Sequence, residues 1–307
     1  MGSGQSTASG SDSSGSSGSS SFSDSINGVS YTPNSSPGSK KALIIGINYT
    51  GTDSQLNGCI NDANTARDYF NNLGFNCDVL TDNTATKPTK SNILSKLSTL
   101  FTSLHSGDTV VIYYSGHGST VTDLSGDEIR EPNRVYGDDS VIVPLDWETQ
   151  DFIIDDTIRT YLVQAPTGSN IFCVFDSCNS GSVCDLRHNL FDTSYKSNPG
   201  DKSSDWVIRN KVVSNTNYAE TNANVVSLSG SKDDQLSAEI HVNGVATGAL
   251  TYAIFKYLRE NTPAKTLEAF VQGVRANLSN FGLSQNPSLM SGRTIDTNTL
   301  LSTYINV

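Results

Sequence analysis

The sequence predicts one α/β domain built on a mostly parallel sheet with helices on both faces, and three observations predict it. Apolar runs of strand length recur along the chain, stretches with helical spacing separate them, and the two alternate from Lys40 onward. Alternation of this kind marks β–α–β units, whose crossovers cover both faces of a sheet.

Each element can be justified in turn. Ala42-Leu43-Ile44-Ile45-Gly46-Ile47-Asn48 is nearly all apolar, as a strand covered on both sides requires. Ile60, Ala63, Ala66, Tyr69, Phe70 and Leu73 follow at helical spacing until Gly74. Phe75 to Leu80 alternates as a second strand. Ile93, Leu94, Leu97, Leu100, Phe101 and Leu104 mark a second helix, and Thr109 to Tyr114 a third strand. Asp155 and Asp156 open a helix that runs to about Ala165, and Asn170 to Phe175 is a fourth buried strand. Residues 186–223, rich in Ser, Asn, Asp and Lys and without sustained periodicity, read as a long exposed loop. A strand at Asn224 to Leu228, helices from about Gly248 to Arg259 and Leu267 to Phe281, and a short strand near Ser288 to Met290 complete one domain, residues 40–307.

Residues 1–39 are mostly Ser and Gly, hold no Lys or Arg, and have almost no large apolar side chains before Phe22, so they read as a disordered leader. Met1-Gly2-Ser3-Gly4-Gln5-Ser6 matches a myristoylation pattern that low-complexity sequence also produces by chance. One acyl chain without a basic patch anchors only marginally, so no stable membrane association is expected. No apolar run approaches the roughly 20 residues of a membrane span, and a signal-peptide pattern is missing. The formal charge of −11 argues against a nucleic-acid partner. Five cysteines at irregular spacing fit neither a disulfide scaffold nor a zinc site, so a reducing, cytoplasmic setting is expected.

The charge is concentrated. Residues 123–156 carry eleven carboxylates against two arginines, residues 1–39 contribute −2, and the other stretches balance. Such a run is usually a solvated face, but Asp138-Asp139 opens a short strand, Asp155-Asp156 opens a helix, and Asp185 lies seven residues past Cys178. Hard oxygen ligands of this type suit Ca²⁺, although no EF-hand loop is present.

Two loops leave the C-terminal ends of buried strands, where open α/β sheets bind ligands. One is Tyr113-Tyr114-Ser115-Gly116-His117-Gly118, the other Phe175-Asp176-Ser177-Cys178-Asn179-Ser180-Gly181. If the two strands are neighbours, the imidazole of His117 faces the thiol of Cys178 and can take its proton. A lone surface His or a lone buried Cys would be unremarkable; the pair at adjacent strand ends points to nucleophilic catalysis. Cys173, alternating with apolar neighbours, reads as core packing.

Tyr114-Ser115-Gly116-His117-Gly118, Asp176-Ser177-Cys178-Asn179-Ser180-Gly181 and Ser229-Gly230-Ser231-Lys232-Asp233-Asp234-Gln235, in that order, resemble the metacaspases, with a leader like that of their type I members. The resemblance runs from about Lys41 to the end of the chain and implies a caspase-like three-layer sandwich and a calcium-dependent cysteine endopeptidase. It implies Cys178 as nucleophile, His117 as base, and the N–H groups of Gly118 and Cys178 as the oxyanion hole. Cys59, Asp62, Ser115 and Asp176 match positions lining the S1 pocket, so protein or peptide substrates with Arg or Lys at P1 are expected. Asp62 reads equally well as a carboxylate favoured by a helix N-terminus. Asp139, Asp155, Asp156 and Asp185 match the family's calcium ligands. Asn179 stands where many members have His.

Further expectations follow from this likeness. Arg187, Lys196, Lys202, Arg209 and Lys211 are candidate sites of self-cleavage, and the protein is expected to act as a monomer. Tyr31-Thr32-Pro33-Asn34 could block the S1 cleft as part of a prodomain, although a plain linker explains the leader better. Two readings compete with the peptidase: a catalytically silent calcium-responsive module of the same fold, and a flavodoxin-like nucleotide binder. The second is disfavoured because Asn48-Tyr49-Thr50-Gly51 offers one Gly where a phosphate cradle needs several.

Overall fold

A computed structural model describes residues 38–122, 138–178, 180, 182–190, 206–209, 212–215, 218–230, 238–261, 265–296 and 298–305. In chain order the first half contains β1 (Lys40–Gly46), α1 (Cys59–Asn72), β2 (Asn76–Thr81), α2 (Lys90–Thr102), β3 (Thr109–Ser115), β4 (Gly118–Thr122), β5 (Asp138–Ile142), α3 (Trp147–Gln150), β6 (Ile153–Ile154), α4 (Asp155–Gln164) and β7 (Asn170–Asp176). The second half contains β8 (His188–Leu190), β9 (Trp206–Arg209), β10 (Val212–Asn215), β11 (Asn224–Ser229), β12 (Glu239–Val242), β13 (Val245–Gly248), α5 (Ala249–Glu260), α6 (Leu267–Asn280), β14 (Ser288–Ser291) and α7 (Ser302–Ile305).

Nine strands form the central sheet in the order β2-β1-β3-β7-β11-β14-β8-β10-β9. The first five are mutually parallel; beyond them each pairing is antiparallel, so only β14 and β10 oppose the common direction. Alternate strand residues face two separate cores, as the period of a pleated strand dictates. Ile44, Val111, Phe172 and Val226 pack with α1, α5, α6 and α7 on one face. Leu43, Val110, Ile171, Cys173 and Val225 pack with α2 and α4 on the other, which makes Cys173 a core residue. The layers are thus helix, sheet, helix, and the chain has the α/β architecture its alternating pattern predicts.

One expectation needs correction. Residues 186–223 are not an exposed loop where the structure describes them: β8 and β10 join the central sheet, and Leu186, His188, Asn189, Leu190, Asn215 and Tyr218 are buried. Their polar composition misleads because the polar groups bond across the sheet, Asn189 Nδ2 to Ser288 Oγ at 3.0 Å and His188 Nδ1 to Ser214 Oγ at 2.7 Å. Residues 191–205, most of the leader with its Tyr31 segment, and residues 123–137 of the acidic insert lie outside the described residues. Among the described residues no helix is long and apolar enough to cross a membrane.

Candidate active site

Strands β3 and β7 are neighbours, with Ser115 paired to Asp176. Continued by two residues, the same register sets His117 against Cys178, each just past the C-terminal end of its strand. The two motifs meet at Gly118. A Cβ on that residue would lie 2.1 Å from the carbonyl oxygen of Cys178 and 3.1 Å from Ser177 Cβ, so only glycine allows the approach.

His117 is held on all sides. Its N–H donates to Tyr49 Oη at 3.0 Å, and its carbonyl accepts from Tyr114 Oη at 2.6 Å and from the Val143 N–H at 3.2 Å. The ring lies 4.7 Å from that of Tyr49, centroid to centroid, and Nε2 is 2.7 Å from the carbonyl oxygen of Ser54. A carbonyl can only accept, so in this bond Nε2 carries the proton, and Nδ1 of the neutral ring is the basic nitrogen. Tyr49 is fully buried, has a left-handed φ of 51°, and donates to the Val143 carbonyl at 2.6 Å. Neither Tyr49 nor Ser54 stood out in the sequence; a main-chain acceptor has no side-chain signature.

The four residues matched to the S1 pocket converge. Asp62, in the first turn of α1, is fully buried, yet its carboxylate does not cap that helix. It accepts instead from Ser115 Oγ at 2.8 Å, from Thr247 Oγ1, and from the Gly248 N–H at 3.1 and 3.0 Å. Asp176, also buried, accepts from the Thr251 N–H and hydroxyl at 2.8 and 2.7 Å. Burial and the nearby Asp176 push the Asp62 carboxyl up to about 7, against the lowering pull of its donors. Cys59 is buried beside them, and burial together with the two carboxylates drives its thiol far above the ordinary range. A thiol so disfavoured from ionising is a poor nucleophile.

The carboxylates matched to calcium ligands sit around Ser140. Asp139 precedes it on β5, Asp155 Oδ2 accepts the Ser140 N–H, and Ser140 Oγ is 2.9 Å from Ser182 Oγ in the loop that ends at Asp185. Asp139, Asp155 and Asp185 are buried, and Asp156 neighbours Asp155 in the first turn of α4. An all-carboxylate donor set fits a hard cation such as Ca²⁺. Among the described residues, however, no three acidic, His or Cys side chains stand close enough to form a ready-made metal cluster. Asp185 has a left-handed φ of 45°, and its Oδ1 accepts from Tyr218 Oη at 3.2 Å.

Of the basic residues suggested for self-cleavage, Arg187 leads into β8; its side chain bonds the Tyr218 carbonyl at 2.7 Å and its own carbonyl accepts from Asn215 at 2.8 Å. Arg209 ends β9, whereas Lys196, Lys202 and Lys211 lie outside the described residues, as does Asn179.

Comparison with known proteins adds to this geometry. A caspase-domain family model matches residues 39–298. The chain belongs to that family. It is 35% identical to Metacaspase-1 of Candida albicans over 89% of this chain and 69% of that protein. To Metacaspase-1 of Coccidioides immitis it is 33% identical over 89% of this chain and 66% of the relative, and to that of Schizosaccharomyces pombe 32% over 85% and 69%. The chain thus spans about two thirds of the length of these relatives. A solved protein from Geobacter sulfurreducens shares the fold, with a TM-score of 0.58 at 21% identity over 84% of this chain and 95% of the other. The protein is accordingly a metacaspase-like peptidase, an enzyme of the cysteine-type endopeptidase class that acts on protein substrates.

Proposed function

We propose that this peptidase cuts after Arg or Lys, depends on calcium and processes itself. The observation that carries the specificity is the pair of buried carboxylates, Asp62 and Asp176, converging beside the His117–Cys178 pair. The partners of Asp62 among the described residues, Ser115, Thr247 and Gly248, are all uncharged, so a basic P1 side chain would supply the missing positive charge.

Catalysis then runs through the dyad. His117 Nδ1 takes the thiol proton of Cys178, the thiolate attacks the scissile carbonyl, and the N–H groups of Gly118 and Cys178 receive the oxyanion. The imidazolium, stabilised at Nε2–H by the Ser54 carbonyl, returns its proton to the leaving amine. Water attacks the resulting thioester, again with His117 as base, and frees the thiol.

Ca²⁺ held by Asp139, Asp155, Asp156 and Asp185 would supply the positive charge that lets these carboxylates share one site. Asp185 belongs to the loop that carries Cys178, so fixing Asp185 fixes the approach to the nucleophile. Self-cleavage in this reading falls after a basic residue of the 187–211 stretch, and the enzyme acts as a monomer.

Matched peptides ending in Arg, Lys or Asp, offered with and without Ca²⁺ beside Cys178→Ala, test the whole reading. Calcium-stimulated cleavage after Arg or Lys, absent in the variant, is expected; cleavage after Asp or indifference to calcium overturns the specificity or the metal. Loss of chain cutting in Cys178→Ala checks self-processing, and the mass in solution checks the monomer.

A further inference from the structure

Two buried carboxylates aimed at one point repel each other, so something must hold them there. Besides Ser115, donors that do so come from a part of the chain that none of the site motifs includes. Strands β12 and β13 form a hairpin that lies against the start of α1. Glu239, at its first residue, accepts the N–H groups of Asn57 and Gly58 at 2.9 and 2.8 Å, at the helix end where open donors and the helix dipole favour a negative charge. Asn61 Nδ2 donates to the Ala246 carbonyl at 2.9 Å. The hairpin's last two residues, Thr247 and Gly248, are the donors to Asp62.

Gly248 also lies against the other carboxylate. A Cβ built on it would be 2.1 Å from Asp176 Oδ2 and 3.0 Å from Asp62 Oδ2. Its φ of −64° suits any residue, so space and not backbone conformation demands glycine here. Just beyond, the hydroxyl of Thr251 donates to Asp176, so the bond between Tyr113 Oη and Thr251 Oγ1 has the tyrosine as donor. Among the described residues, Thr247, Gly248 and Thr251 thus donate to the two carboxylates, alongside Ser115 and this tyrosine relay.

We propose that the β12–β13 hairpin, through Glu239, Thr247 and Gly248, sets the preference for a basic P1 side chain by holding Asp62 and Asp176 on a single point. The proposal rests on the S1 reading above. These three are positioning residues: Thr247 and Gly248 act on the carboxylates, and Glu239 acts by fastening the hairpin to the helix that carries Asp62.

The test uses full-length protein with Ca²⁺ and two peptides that differ only in Arg or its uncharged isostere citrulline at P1. Thr247→Val is expected to raise KM for the Arg peptide about tenfold, with kcat within about twofold, and to shrink the Arg-over-citrulline ratio to the same extent. Thr247→Ser is expected to restore both. Glu239→Gln, on the surface, is expected to act in the same sense by a few fold, and labelling of Cys178 by an alkylating probe is expected to stay at the parent rate in both. Gly248→Ala is expected to show the largest loss of preference; if it does not fold, the Thr247 and Glu239 variants decide. An unchanged KM and ratio, or equal loss of kcat on both peptides, overturns the proposal. Asp62→Asn and Asp176→Asn run alongside separate the two layers: if they too keep the ratio, the S1 reading fails, whereas if they abolish it and the hairpin variants do not, only the hairpin proposal fails.

Discussion

Two groups of aspartates in this chain have met opposite fates. Asp62 and Asp176 are gathered and held by hydroxyls and backbone N–H groups from three elements. Asp139, Asp155, Asp156 and Asp185 occupy neighbouring elements around Ser140, yet no ready-made cluster of three exists among the described residues. The difference teaches how far hydrogen bonds can go in place of a counter-ion. They suffice to keep two carboxylates together, at the expense of one of them rising to about 7. Four brought to one place would exceed what neutral donors can stabilise, so in the proposed reading a cation would complete that group.

The comparison can be broken most severely at Cys178, the nucleophile of the proposed reading. Cys178→Ala is expected to lower kcat by about 10⁴-fold or more at any calcium concentration, measured on an Arg peptide. Asp62→Asn or Asp176→Asn is expected to cost about 100-fold in kcat/KM on that peptide and far less on its citrulline isostere, with the calcium response kept. Asp155→Asn is expected to do the reverse: a shift of about tenfold in the calcium needed for half-activation, with the Arg-over-citrulline ratio unchanged.

A pH titration sharpens the contrast by a smaller amount. Because the folded-state carboxyl of Asp62 is raised to about 7, its charge grows between pH 6 and 8, and KM for the Arg peptide is expected to fall a few fold across that range. The same shift has a stability side. Between the ordinary carboxylate range and about pH 7 the folded chain keeps a proton that the unfolded chain has released, so this group's contribution to stability declines as pH rises through that window. Asp62→Asn is expected to flatten the decline in chemical denaturation at pH 5 and pH 8. The mildest change, Tyr49→Phe, removes the acceptor of the His117 N–H and is expected to lower kcat about fivefold at constant KM.

The parallel half of the sheet was legible from single residues: an uninterrupted run such as Val110-Val111-Ile112 has no other home than a strand covered on both faces. The meeting of the His117 and Cys178 loops was legible for the same reason, since adjacent buried strands bring their C-terminal loops together. The antiparallel extension beyond β14 was not, because β8 and β10 are short and their polar side chains find partners across the sheet, leaving no apolar alternation to read. The hairpin of residues 239–248 did carry a signal in Ile240, Val242 and Val245 around Asn243-Gly244, a favoured two-residue turn. Its hold on Asp62 spans more than 180 positions, and nothing local to either segment announces it. Asp62 shows the point most sharply: helix position explained it as well as substrate binding did, and its donors on β3 and β13 show that its carboxylate does not cap α1.

The order in which the chain leaves the ribosome gives the site a timetable. Asp62 emerges first, His117 and Ser115 next, Cys178 and Asp176 after them, and the residues that brace both carboxylates, 247–251, roughly seventy positions later. A chain interrupted before β12 holds His117 and Cys178 but lacks the residues 247–251 that donate to Asp62 and Asp176, and the parallel pairings around β11 have only just become available to close the sheet. In the proposed reading, a nascent peptidase of this design has its reactive groups in hand well before the means to choose what they cut.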